Sequence, residues 1–194
     1  MRFKAVLAAA VFCVAPAFAG TIIYDVSMSG ANEAPSNASA GTGAGTVTID
    51  TTTNMMTVDL TFSGLTGNVT ASHIHCCTVN PDAGTAGVAT VTPSFTGFPS
   101  GTGVTSGSYN HTYDLTQTSS YNSAFVTANG GTAGSAEAAL LAGMAAGKAY
   151  WNIHSSVVPG GEIRGFLVAE TPEPASFALA GLALAGLAFR RRKA

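Results

Sequence analysis

Short runs of alternating apolar and polar residues, each closed by Gly, Thr, Ser or Pro, fill the middle of this chain. They leave room for little except strands. Ile22, Tyr24, Val26 and Met28 alternate with Ile23, Asp25 and Ser27, the period of a half-buried strand. Residues 46–50 and 55–62 read as a hairpin across 51–54, with Val58, Leu60 and Phe62 on one face. Gly64-Leu65-Thr66-Gly67 is a turn, and residues 69–76 are the next strand. Further strands are expected at 88–91, 107–115, 123–128, 149–155 and 162–169. One helix interrupts them: Ser135 is its N-cap, Glu137 lies in its first turn, and Gly147 with Lys148 ends it. The pattern predicts a mainly β fold, an antiparallel β-sandwich or barrel with one short helix.

Both ends read as addresses, an N-terminal signal helix and a C-terminal transmembrane helix. Arg2 and Lys4 precede the apolar stretch 5–15, and Ala17-Phe18-Ala19 is a small-x-small cleavage site. Residues 1–19 are therefore expected to be a signal peptide, removed together with Cys13. At the other end Pro172-Glu173-Pro174 closes the last strand, because proline donates no backbone hydrogen bond. Residues 175–189 are apolar, and Arg190, Arg191, Arg192 and Lys193 follow. A helix of that length reaches about 22 Å against a hydrocarbon core of about 30 Å, a gap that arginine snorkelling and bilayer thinning can close. The cations place the extreme C-terminus in the cytoplasm. Between the two addresses, residues 20–170 form one domain.

The overall charge of −2 conceals the character of that domain. Between residues 20 and 170 the two cations Lys148 and Arg164 face nine acids, leaving −7 with histidine neutral. Such a surface repels phosphate backbones, so no nucleic-acid partner is expected.

The chemistry gathers at Ala71-Ser72-His73-Ile74-His75-Cys76-Cys77, echoed by Tyr150-Trp151-Asn152-Ile153-His154. Strand parity sets Trp151 and Ile153 toward the core and turns Tyr150, Asn152 and His154 the other way. Ile74 likewise opposes His73 and His75, and Glu162 shares a parity with Arg164. If these strands are neighbours, His73, His75, Asn152, His154, Glu162 and Arg164 form one polar patch. Two readings follow. In one, His73, His75 and His154 hold Zn or Cu. In the other, His73 and His154 tie loops to strands while Glu162 pairs with Arg164 or a histidine. His111 reads as an ordinary strand residue. Cys76 and Cys77, the two cysteines left after processing, face an oxidising compartment. A disulfide between these neighbours, acting as a structural clip, is favoured over a thiol pair helping His75 hold metal or disulfides between chains. No Ser/His/Asp order, phosphate loop or paired carboxylate is present.

Two resemblances cover most of the chain. Pro172-Glu173-Pro174, the apolar segment and Arg190, Arg191 and Arg192 resemble the PEP-CTERM sorting signal of bacteria. That likeness implies recognition by an exosortase, a membrane transpeptidase-like protease, in organisms that make extracellular polysaccharide. It implies transient anchoring in the inner membrane, then release or transfer to the cell surface. The segments Ser29-Gly30-Ala31-Asn32-Glu33-Ala34-Pro35, Phe62-Ser63-Gly64-Leu65-Thr66-Gly67, His73-Ile74-His75, Tyr150-Trp151-Asn152-Ile153-His154 and Pro159-Gly160-Gly161-Glu162-Ile163-Arg164-Gly165 run in the order of the chordin-type (CHRD) domain. They resemble that family over about residues 21–169, departing from it at Cys76-Cys77, where many members carry Gly after the second histidine. The family implies an extracellular module without an established enzymatic activity. A more distant likeness links His73-Ile74-His75 to copper–zinc superoxide dismutases, which also carry His-x-His on a sandwich strand. It stops there: no loop rich in His and Asp follows His75.

The function expected first is a non-enzymatic CHRD binding or structural module, without a cofactor, exported and sorted by an exosortase. Its partners would be the export machinery, the membrane before processing, and extracellular polysaccharide or protein. The alternative is an extracellular Zn- or Cu-binding protein using the His-x-His strand, with redox activity as its furthest extension.

Overall fold

The computed structural model describes residues 20–170; the expected signal peptide (1–19) and membrane segment (175–189) lie outside the described residues. Eight strands and two helices follow one another as β1 (Thr21–Ser29), β2 (Thr42–Asp50), β3 (Met55–Ser63), β4 (Val69–Cys76), β5 (Gly107–Asp114), α1 (Ser123–Ala128), α2 (Ala133–Ala145), β6 (Ala149–Ser155), β7 (Ile163–Phe166) and β8 (Val168–Ala169). The strands make one curled antiparallel sheet in the order β4-β6-β7-β1-β2-β3-β5, with β8 also on β1. The mainly β expectation holds, in the form of a half-barrel. Among the described residues no helix is long and apolar enough to cross a membrane.

Alternation gives the sheet its inside. Tyr24, Val26 and Met28 of β1, Val47 and Ile49 of β2, and Met56, Val58, Leu60 and Phe62 of β3 are buried on one face, as period-2 patterning requires. The 51–54 hairpin forms with a longer first arm, Thr42 pairing with Ser63. Trp151 and Ile153 join the same core with Ile74, and the Trp151 indole N–H donates to Ser72 Oγ at 2.8 Å.

The sequence reading departs from the structure in three places along the backbone. Residues 123–128 form α1, not a strand: the Asn122 side chain caps the Ala124 N–H and turns the chain into a helix. The second helix starts earlier than expected. Thr132 is its N-cap, and Ser135 returns the bond as the other half of a capping box. Its end is as expected: Gly147 takes φ +66°, and Lys148 N–H and Gly147 N–H close onto Gly143 O and Met144 O, the Schellman arrangement that favours glycine. Residues 88–91 make isolated bridges only, Val88 to His75 and Thr90 to Tyr121.

That third departure matters for the site. The long connection from β4 to β5 runs along the free edge of β4. Ala89 N–H donates to Ile74 O, Phe95 N–H to Ser72 O and Gly101 N–H to Val69 O. The edge strand is thereby covered, and the connection is laid across the outward face of β4.

Candidate metal centre

β4 and β6 are hydrogen-bonded neighbours, with His73 opposite Asn152, His75 opposite Tyr150 and Ala71 opposite His154. Parity turns these side chains away from the Trp151 core, and the register sets His154 diagonal to His73. The three imidazoles therefore meet on one face. Ring centroids of His73 and His75 lie 4.7 Å apart, His73 and His154 4.8 Å, His75 and His154 5.9 Å. One nitrogen from each ring falls within 4.8 Å of the other two. His73 and His75 are 6% and 9% exposed, and His154 is half-buried.

Each ring is oriented from behind by a backbone carbonyl. His73 Nδ1 donates to Pro93 O at 3.1 Å, His75 Nδ1 to Ala86 O at 2.8 Å, and His154 Nδ1 to Pro159 O at 2.9 Å. A carbonyl oxygen only accepts, so each Nδ1 carries the proton and each Nε2 is left with a bare lone pair. His73 Nε2 and His154 Nε2 then face each other at 3.0 Å, and His75 Nε2 is buried with no hydrogen-bond partner among the described residues. Burial, reinforced by the neighbouring His75 and His154, lowers His73 to about 3. Burial also lowers His75 to about 4, outweighing the Ala86 bond that raises it, with smaller lowering contributions from His154 and Arg164. His154 is lowered as well, by burial. Burial thus favours the neutral form of all three rings. Three convergent neutral Nε2 donors, each with its Nδ1–H held by a second group, make the donor set that imidazole-binding metals take.

Behind His75 the face is closed by stacked side chains. Tyr150 lies parallel to the His75 ring, 4.7 Å between centroids and 5° between planes. Its hydroxyl bonds both polar atoms of the Ala86 backbone. The Arg164 guanidinium sits 4.7 Å over Tyr150, within cation–π range. Asn152 and Arg164 are cross-strand partners, so both join the expected patch.

Glu162 does not. Residue 161 is a glycine at φ +133°, and a Cβ there would collide with Asn152 and Glu33. The chain turns at this point, Glu162 precedes β7, and strand parity no longer applies to it. Its side chain is fully buried on another face, accepting from Ser39 Oγ, Thr66 N–H and Gly67 N–H. Burial alone would raise this carboxyl; the hydrogen bonds from Ser155, Ser39, Thr66 and Gly67 outweigh it and hold it below its usual range. The expected pairing of Glu162 with Arg164 or a histidine is thus replaced. Glu33 is the carboxylate beside Arg164, 3.8 Å from Nε. Burial raises Glu33, Arg164 pulls it back, and the balance lies at about 7. Glu33 carries no local signal in its Gly-rich loop beyond its place in the Ser29–Pro35 segment.

Cys76 and Cys77 are joined in a disulfide. Cys76 shares the core parity of Ile74, and both sulfurs pack where a Cβ on Gly143 of α2 would stand. Among the described residues a thiol pair completing the ligand set of His75 is thus absent, and the disulfide packs against α2 at Gly143. His111 lies on β5 opposite Val58, apart from the cluster. Pro172, Glu173, Pro174, Arg190, Arg191 and Arg192 lie outside the described residues.

A family model described as the CHRD domain matches residues 24–167, and one described as the PEP-CTERM protein-sorting motif matches residues 170–193. No match was found among curated proteins or solved structures. The sorting motif implies export, processing by an exosortase and membrane-associated sorting to the cell surface.

Proposed function

The chain belongs to the CHRD domain family, and from that premise we propose that it is an extracellular metal-binding module, holding one Zn or Cu ion on His73, His75 and His154. The observation that carries the reading is the 3.0 Å approach of His73 Nε2 to His154 Nε2, with both Nδ1 atoms committed to carbonyls. Two bare lone pairs at that distance repel, and either a shared proton or a metal ion between them relieves the repulsion. With both rings favoured neutral by burial, the metal ion is the reading taken. Nitrogens bound about 2.0–2.1 Å from one tetrahedral ion stand about 3.3 Å apart, so a small adjustment of the rings admits the ion. The donors are neutral imidazoles, which suits Zn and Cu and disfavours Ca and Mg.

Delivery would follow the two addresses: a leader over residues 1–19, the domain over 20–170, and a tail over 171–194 that anchors the chain in the membrane until an exosortase processes it. At the surface the module would meet polysaccharide or protein; the proposal includes no enzymatic turnover.

A second reading has its own support. The same three Nδ1 bonds tie the 77–106 connection and the β6–β7 turn to the sheet, as a metal-free structural network would. Elemental analysis of the purified full-length protein separates the two. The metal reading expects about one Zn or Cu per chain, removed by a chelator and absent from a folded His73→Ala/His75→Ala variant. A folded wild-type protein that takes up neither ion after reloading leaves the network reading.

A further inference from the structure

We infer that the ion held by His73, His75 and His154 keeps one exchangeable coordination position, and that this position takes a small monovalent anion such as hydroxide, azide or cyanide. The inference rests on the metal reading above and extends it from a bound ion to a reactive one.

Ligand number is the first argument. The residues that come together offer three donors, whereas closed structural zinc sites use four and open sites use three with a water or substrate in the fourth place. Most of the surrounding polar groups are engaged elsewhere. Cys76 and Cys77 are bonded to each other. Glu162 is held by Ser39, Thr66 and Gly67. The Tyr150 hydroxyl is on Ala86 and Glu33 lies beside Arg164; among the described residues Glu33 Oε1 and Asn152 Oδ1 have no hydrogen-bond partner, and both lie against Gly161.

Charge is the second. All three protein ligands are neutral, and the groups behind them are carbonyl oxygens rather than carboxylates. A divalent ion there keeps its full charge in a place largely withdrawn from water, and Arg164 adds a further positive charge behind Tyr150. An anion in the fourth position relieves that excess, and a bound water is acidified for the same reason.

Access is the third. His73 and His75 are nearly covered, but His154 is half-buried, and its bond to Pro159 lies at the surface. The ion is therefore reached from solvent past His154, between the β6–β7 turn and the connection that carries Pro93. Exchange is simple substitution: the anion binds the ion and water leaves as water.

The test is an azide titration of the Cu(II)-loaded full-length protein, followed by absorption and electron paramagnetic resonance. The expected result is an azide-to-copper charge-transfer band saturating at one azide per copper, with changed copper parameters and reversal by cyanide. Copper bound at one equivalent, with a three-nitrogen signature that azide does not alter, overturns this inference and leaves the metal reading standing. A folded protein that takes up no copper or zinc overturns the metal reading and this inference with it.

Discussion

His73 and His154 come from two hydrogen-bonded strands and aim their unprotonated Nε2 atoms at each other across 3.0 Å. Each ring is fixed from behind, by Pro93 O and Pro159 O. On the proposed reading a metal ion relieves the repulsion between these nitrogens, and the arrangement has consequences for pH dependence and metal affinity.

Acid should weaken the metal-free domain. The unfolded histidines take up protons near pH 6.5, whereas folded His73 and His75 resist until about 3 and about 4. Their contribution is therefore full above pH 6.5 and lost progressively as pH falls toward those values. Each histidine has a limiting slope of about 1.4 kcal/mol per pH unit. Denaturant titrations between pH 7 and 5 should show falling stability, with a shallower fall in His73→Gln. A flat or rising profile contradicts the burial of neutral imidazoles.

Glu33 acts in the opposite sense. Its folded carboxyl holds a proton up to about 7, against a usual value of 4.5, so ionising it costs stability as pH rises from 4.5 to 7. Glu33→Gln should gain relative to wild type by about 1–3 kcal/mol between pH 5 and pH 8. Equal offsets at the two pH values would show that this carboxyl ionises normally.

Gly143 leaves no room for a side chain against the Cys76–Cys77 disulfide. Gly143→Ala should cost about 1–3 kcal/mol through overpacking. In a Cys76→Ser/Cys77→Ser background the cost should shrink, because the two changes share one contact. Additive effects in chemical denaturation would place the disulfide away from α2.

Glu162 is separate from the metal face. Glu162→Gln weakens an acceptor for the Thr66 and Gly67 N–H groups and for Ser39. It should lower stability by about 1–3 kcal/mol while leaving metal stoichiometry unchanged. Loss of metal from a folded variant would return Glu162 to the site.

Much of this was legible in the residues, and the misses have physical causes. Alternation placed β1, β2 and β3, because their inner and outer faces differ in polarity. Parity placed His73, His75 and His154 opposite Ile74, Trp151 and Ile153, but parity carries no information on which strands pair. The convergence of the rings needed the β4–β6 register. Glu162 was misassigned because the turn at Gly161 ends the period one residue before β7. Residues 123–128 have the Phe and Val content of a strand, and a single cap at Asn122 outweighs it. Glu33 and the three carbonyls behind the histidines belong to irregular segments, where only tertiary packing determines what faces the site.

Nitrogen-15 NMR of the histidine rings, recorded with and without one equivalent of Zn, tests the central claim most directly. Nδ1–H tautomers are expected for His73, His75 and His154 before metal is added. On addition, their three Nε2 signals should shift together, the Nδ1–H protons should persist, and His111 should stay unchanged. Nε2–H tautomers at His73 or His154, or three Nε2 signals indifferent to zinc and copper in a folded protein, would contradict it.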